Sequence, residues 1–239
     1  MNGEKTSLPQ GVGGSDCEFI IDELKSLSNP AYHQKMLHFG IDNQKAFGVS
    51  MPKIRSLAKQ IGKNQTLSLE LWKTGIHEAR ILATIIGDYK QVTEAQIDQW
   101  TNDFSSWDVC DQACGNLFVK TPYLIPKVLA YTKKEAEFVK RSGFVLMAEA
   151  AVHLKKEPDQ TFVKFLPIIE REAADQRNFV KKAINWALRQ IGKRNLVLNQ
   201  KAIETAHRIL AKGDKKANWV ALDALRELQS EKIVKRLNP

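Results

Sequence analysis

With 239 residues, 43% of them apolar and 26% charged, the chain has the size and composition of a folded globular protein and not of a disordered or fibrous one. Its net charge of +9 favours a polyanionic partner, and no apolar run approaches membrane-spanning length. The excess is uneven, since residues 176–239 hold 15 Lys and Arg against 5 Asp and Glu, while residues 1–175 hold 21 against 22. A basic C-terminal quarter follows a neutral body, a pattern that nucleic-acid binding and a Lys-rich solvated helix face both produce.

Residues 1–15, MNGEKTSLPQGVGGS, are polar and glycine-rich and read as a disordered leader, with residues 16–239 as a single domain. The N-terminus has no signal-peptide apolar region, so a cytoplasmic location is expected. Three cysteines, Cys17, Cys110 and Cys114, form no even disulfide framework and fit a reducing compartment. Cys110 and Cys114 are one helical turn apart but lack further ligands at metal-binding spacing, so neither a metal site nor a cofactor is expected. His33, His38, His77, His153 and His207 are scattered, none with a nucleophile at a recognisable spacing.

Hydrophobic periodicity predicts helices over 16–27, 30–38, 43–46, 51–62, 66–75, 77–89, 93–103, 106–118, 122–131, 135–153, 159–173, 177–192, 199–212, 215–228 and 230–237. Thr121-Pro122, Met51-Pro52 and Glu157-Pro158 mark starts, and Gly62, Gly192 and Gly213 fall at ends. Strand-like runs such as Leu196-Val197-Leu198 are short, which argues against a sheet. Short connectors and helix pairs recurring every 30–45 residues or so predict an all-α superhelix of HEAT-like helical hairpins with a concave inner face.

Residues 105–118, SSWDVCDQACGNLF, start a helix that Ser106 can cap, with Asp108 in its first turn. Trp107, Asp111, Cys114 and Phe118 form one stripe, so Asp111 stands where the pattern asks for an apolar residue. Such a carboxylate either pairs internally with an Arg or faces a groove that receives a cation. Within 135–153, Arg141 shares a stripe with Val145, Ala148 and Val152 and breaks its pattern in the same way. The two opposite charges either form an internal salt bridge or face one groove, Arg141 toward a phosphate and Asp111 toward a cation. In the helix that follows, Trp186 lies off the core face among Lys182, Arg189 and Lys193, a basic aromatic surface suited to nucleic acid, unless the Trp packs on the next repeat.

Together WDVCDQACGNLF, EFVKRSGF, RNFVKKAINWALRQIGKRN and FGIDNQKAFGVSMPKIRSLAK resemble the AlkD-type DNA alkylation repair proteins, from about Asn29 to the C-terminus. The resemblance implies a HEAT-like-repeat superhelix with a concave DNA-binding groove. It also implies a DNA glycosylase that releases cationic purines alkylated at ring nitrogen 3 or 7 from double-stranded DNA, without metal or cofactor. Carried over by motif, the catalytic pair falls on Trp107 and Asp111, the DNA-backbone Arg on Arg141 and the second groove Trp on Trp186. An aromatic from the first helices is also expected, either Tyr32 or Phe39. If DNA is the ligand, Lys182, Arg189, Lys193 and Arg194 are expected at phosphates. The alternatives are a non-catalytic DNA-binding relative and a HEAT-type scaffold whose basic helices contact an acidic protein. No Lys is placed as a Schiff-base nucleophile, and a monomer is expected.

Overall fold

In the computed structural model of the chain, residues 16–238 are described; the expected leader, 1–15, lies outside them. The described residues are helical throughout with no strand, and they group into two compact units divided after Thr93.

The first unit contains α1 (Asp16–Ser26), α2 (Pro30–His38), α3 (Met51–Ile61), α4 (Gln65–Lys73) and α5 (His77–Ile86). Asn29 caps α2 by accepting the Tyr32 amide, and Pro30 occupies the first helical position. Met51-Pro52 opens α3 as its spacing predicts, and Gly62 ends it with φ of 75°. The short helix expected over 43–46 is a turn instead, because a distant carboxylate claims the backbone that follows it. Glu78, on α5 and 1% exposed, accepts the amides of Phe47 (3.0 Å), Gly48 (2.7 Å) and Val49 (3.0 Å). Three consecutive amides can converge on one carboxylate only if the chain bends, and Gly48 supplies the bend with φ of 76°. A Cβ on Gly48 would also lie 2.5 Å from the Asn29 carbonyl oxygen. Tyr32 is half-buried and Phe39 is exposed.

The second unit contains α6 (Glu94–Asn102), α7 (Trp107–Asn116), a 3-10 turn (Phe118–Lys120), α8 (Leu124–Tyr131), α9 (Glu137–His153), α10 (Asp159–Glu172), α11 (Asn178–Gly192), α12 (Leu196–Ala211), α13 (Asn218–Leu228) and α14 (Glu231–Leu237). Helices α7, α9, α11 and α13 lie side by side in one row, backed by α8, α10 and α12 in a second. This is the paired, two-layer arrangement predicted from the hairpin spacing. As its all-round apolar pattern requires, α9 is the central element, and Gly143 lets it approach α8 where a Cβ would meet the Thr132 side chain at 2.7 Å.

Two local expectations are corrected. The helix expected from 199 begins at Leu196, because Asn195 caps it by accepting the Leu198 amide at 2.9 Å, so Leu196-Val197-Leu198 is its first turn. Thr121-Pro122 does not open a helix: the Thr121 hydroxyl donates back to the Phe118 carbonyl, and α8 starts at Leu124.

Removing the Glu78 carboxylate strands three amides in the interior. Glu78→Ala should lower stability by about 3 kcal/mol or more, read as a fall in the urea midpoint, with Glu78→Gln intermediate. An unchanged midpoint for both would show that another group holds this loop.

Candidate functional site

Asp111 lies on the face of α7 that meets α9, and Arg141 answers it from α9. The Arg141 Nε donates to Asp111 Oδ1 at 3.0 Å and Nη2 donates to Oδ2 at 2.8 Å, a bidentate fork. The third contact of the same guanidinium is Nη1 to the carbonyl of Phe179, at 2.6 Å, in the first turn of α11. One side chain thus joins three neighbouring helices. Of the two expectations for this pair, the internal ion pair is the one observed. Arg141, expected to reach a phosphate, is turned inward and its side chain is 6% accessible, whereas the Asp111 side chain keeps 16%.

Burial raises the Asp111 carboxyl above its ordinary value, Arg141 opposes that rise, and the negative charge of Asp108 adds to it. Burial acts against the charge on Arg141, but Asp111 more than offsets it and holds the guanidinium protonated. Trp107, one turn before Asp111 on α7, is half-buried. Ser106 occupies the cap position without bonding to the backbone; its hydroxyl donates to Asp108 Oδ1 at 2.7 Å. Cys110 and Cys114 pack inward on Ser142 of α9, with Cys110 Sγ 3.3 Å from the Ser142 hydroxyl. No group of three or more potential metal ligands occurs among the described residues.

Sequence reasoning missed Glu149, two turns beyond Arg141 on α9. Its carboxylate lies against α7 at Gly115, where a Cβ would come within 2.8–3.0 Å of all three carboxyl atoms. Glycine there leaves the room that Glu149 fills. Burial first, and then the charge of Asp111, push the Glu149 carboxyl up to about 7. His153 Nε2 lies 2.9 Å from it, and the His153 imidazole is made less basic by burial and by Lys120 and Lys155. The i, i+4, i+8 spacing of Arg141, Val145 and Glu149 was the available signal.

Trp186, on α11, is half-buried, and Lys182 one turn before it is exposed. The other expected phosphate ligands are engaged internally. Arg189 Nη1 meets Glu227 Oε2 at 2.7 Å and Lys193 meets Glu227 Oε1 at 2.8 Å, so α13 compensates both charges. Arg194 donates to the carbonyls of Ala151, Leu154 and Glu157 and stacks 4.0 Å from the Phe162 ring centroid, which makes it a brace for the end of α9. Beside that brace a cavity of about 590 Å³ is lined by Lys155, Lys193, Arg194 and Arg236 together with Glu157 and Asp159. Among the expected backbone contacts, Lys182 alone has neither an ion pair nor a side-chain hydrogen bond among the described residues, since Arg189 and Lys193 are ion-paired and Arg194 is held by backbone carbonyls.

A family model described as DNA alkylation repair enzyme matches residues 20–228. Among solved structures, one described as belonging to "a new family of proteins related to the HEAT-like repeat DNA glycosylases with affinity for branched DNA structures" superposes with a TM-score of 0.73 at 20% identity. The match covers 81% of this chain and 83% of the other. At that identity the likeness establishes the fold, an all-helical HEAT-like repeat architecture. Among curated proteins none matches. No described helix is long and apolar enough to cross a membrane.

Arg141→Met leaves the buried Asp111 carboxylate without its partner and should cost about 3 kcal/mol of stability, measured by urea denaturation; Arg141→Lys, which cannot form the fork, should recover only part. A separate test concerns Glu149. Its folded pKa of about 7 exceeds the ordinary 4.5, so the native state binds the proton more tightly than the unfolded chain. That contribution to stability is complete below pH 4.5 or so and is lost as pH rises through about 7. Glu149→Gln should therefore gain on wild type by about 2–3 kcal/mol between pH 5 and pH 8. Urea midpoints that keep a constant difference across that range would contradict the assignment.

Proposed function

The chain belongs to the DNA alkylation repair enzyme family, and from that premise we propose that it is a DNA glycosylase releasing purines alkylated at ring nitrogen 3 or 7. The single observation that carries this reading is the Asp111 carboxylate, held by the Arg141 fork at a partly accessible point one turn beyond Trp107.

A purine alkylated at these nitrogens is cationic and is already a good leaving group, so the enzyme need not protonate it. As the N-glycosidic bond breaks, its electron pair moves to the purine, cancels the charge and leaves positive charge on the sugar. A carboxylate fixed beforehand stabilises that charge without having to reorganise, and it can orient the water whose oxygen closes on the sugar carbon. The water's proton passes to solvent, and an abasic site remains. Arg141 acts here as a positioning residue: it opposes the rise that burial imposes on the Asp111 carboxyl and fixes both oxygens. Trp107 and Trp186 hold the cationic nucleotide by face contacts, each worth about 0.5–2 kcal/mol. Neutral purines gain little from such contacts, so selectivity for charged lesions follows without a base-shaped pocket. The reaction as written uses no metal or cofactor.

A second reading is a DNA-binding relative that does not excise bases; the structural neighbour is described by its affinity for branched DNA structures. The observation favouring it is that both Asp111 oxygens already accept from Arg141.

Single-turnover release of 7-methylguanine from methylated duplex DNA separates the two. The wild type should release base, and Asp111→Asn should be slower by about 10-fold or more while binding duplex with similar affinity. Salt-sensitive binding without release by either protein would select the second reading.

A further inference from the structure

The exposed aromatic surface of the second unit is not at Asp111 but on α13. Trp219 is 42% exposed and its neighbour one turn on, Leu222, is 55% exposed. Asn185 of α11 donates to the carbonyl of Val220 at 3.0 Å, which fixes the start of α13 against α11 and sets Trp219 beside the first turns of that helix. Lys181 Nζ there lies 5.4 Å from the Trp219 ring centroid. Lys182 follows it on the surface, one turn before Trp186.

Lys215 and Lys216, four and three residues before Trp219, are exposed in the turn that leads into α13. That turn is tied to the loop before α11 by Gln176, whose Nε2 donates to the carbonyls of both Ala174 and Lys216. Asp214, which accepts the Lys216 amide, is the acidic group of the turn. None of the four lysines has an ion pair among the described residues. The opposite end of the α11–α13 seam is different, because Asp223 and Glu227 compensate Arg189 and Lys193 there. Positive charge without an acidic partner is therefore concentrated around an exposed indole.

We propose that Trp219, with Lys181, Lys182, Lys215 and Lys216, forms a binding site for an unpaired DNA segment, separate from the site at Asp111. An indole face recognises a base by stacking, and within an intact duplex both faces of each base are already covered by their neighbours. An unpaired strand offers a free base face together with phosphates at the distance that flanking lysines reach, and such binding is tolerant of sequence. Lys181 suits an exchange: its ammonium leaves the ring for a phosphate as the base arrives. An acidic peptide would satisfy the lysines but not the indole. This inference rests on the DNA-binding reading above and adds a strand type that the reading does not specify.

The full chain should be titrated, by fluorescence anisotropy, against three labelled DNAs: oligo-dT, a blunt duplex, and the same duplex carrying a single-stranded flap. Trp219→Ala should weaken oligo-dT and flap binding by about 10-fold and leave the blunt duplex unchanged, with Trp219→Phe intermediate. Equal losses on blunt and flapped DNA, or no loss on either, would overturn the proposal while leaving duplex binding in place. If the wild type binds none of the three, the DNA-binding reading fails and this site fails with it. Trp219 is exposed, so its replacement should not unfold the chain, and matching circular dichroism spectra of the three proteins would verify that.

Discussion

The second unit depends on one guanidinium. Arg141 extends from the central helix α9, grips both oxygens of Asp111 on α7 and reaches the Phe179 carbonyl of α11 with its remaining arm. Because these bonds use separate edges of a planar group, they set the rotation of α7 about its axis and the depth of α11 as well as their separation. Apolar packing around α9, with Phe144, Val145 and Met147 fully buried, supplies the driving force but would tolerate small shifts. The ion pair does not. It converts a loosely specified helical stack into one that presents a carboxylate at a defined place, which is what a charge-stabilising site requires.

The positive charge of the C-terminal quarter is distributed less simply than its total suggests. Much of it is absorbed within the fold, by Glu227 under Arg189 and Lys193, by Glu170 under Arg208 and Lys212, and by backbone carbonyls around Arg194. Among the described residues, Lys181, Lys182, Lys215 and Lys216, at the starts of α11 and α13, are some of those left without an ion pair. Compensation by a neighbouring helix thus decides which cations are left uncompensated, and a count of lysines along one helix cannot.

The legibility of these features in the sequence divides along the same physical line. Helix positions, pairing and the all-helical class follow from periodicity and short connectors, which are local. Asp111 and Arg141 were visible as charges that violate apolar stripes, though adjacency, which decides that they face each other, is tertiary. That Arg189 and Lys193 share a carboxylate is not legible along their own helix, because Glu227 lies on α13, more than 30 residues on. The loop before α3 read as a helical turn because its anchor, Glu78, is 29–31 residues away. Glu149 went unnoticed since its space depends on a glycine in another helix, Gly115. Trp219, after the basic pair Lys215-Lys216, carried a sequence signal that helical periodicity alone does not weigh.

The seat of Glu149 against Gly115 has a thermodynamic corollary. Part of what holds the Glu149 proton in place is the negative charge of Asp111, and linkage makes such a coupling mutual. A cation that settles against Asp111 cancels some of that charge and so loosens the proton on Glu149. The two carboxylates at the seam between α7 and α9 are therefore coupled, so the charge state of one alters the proton affinity of the other.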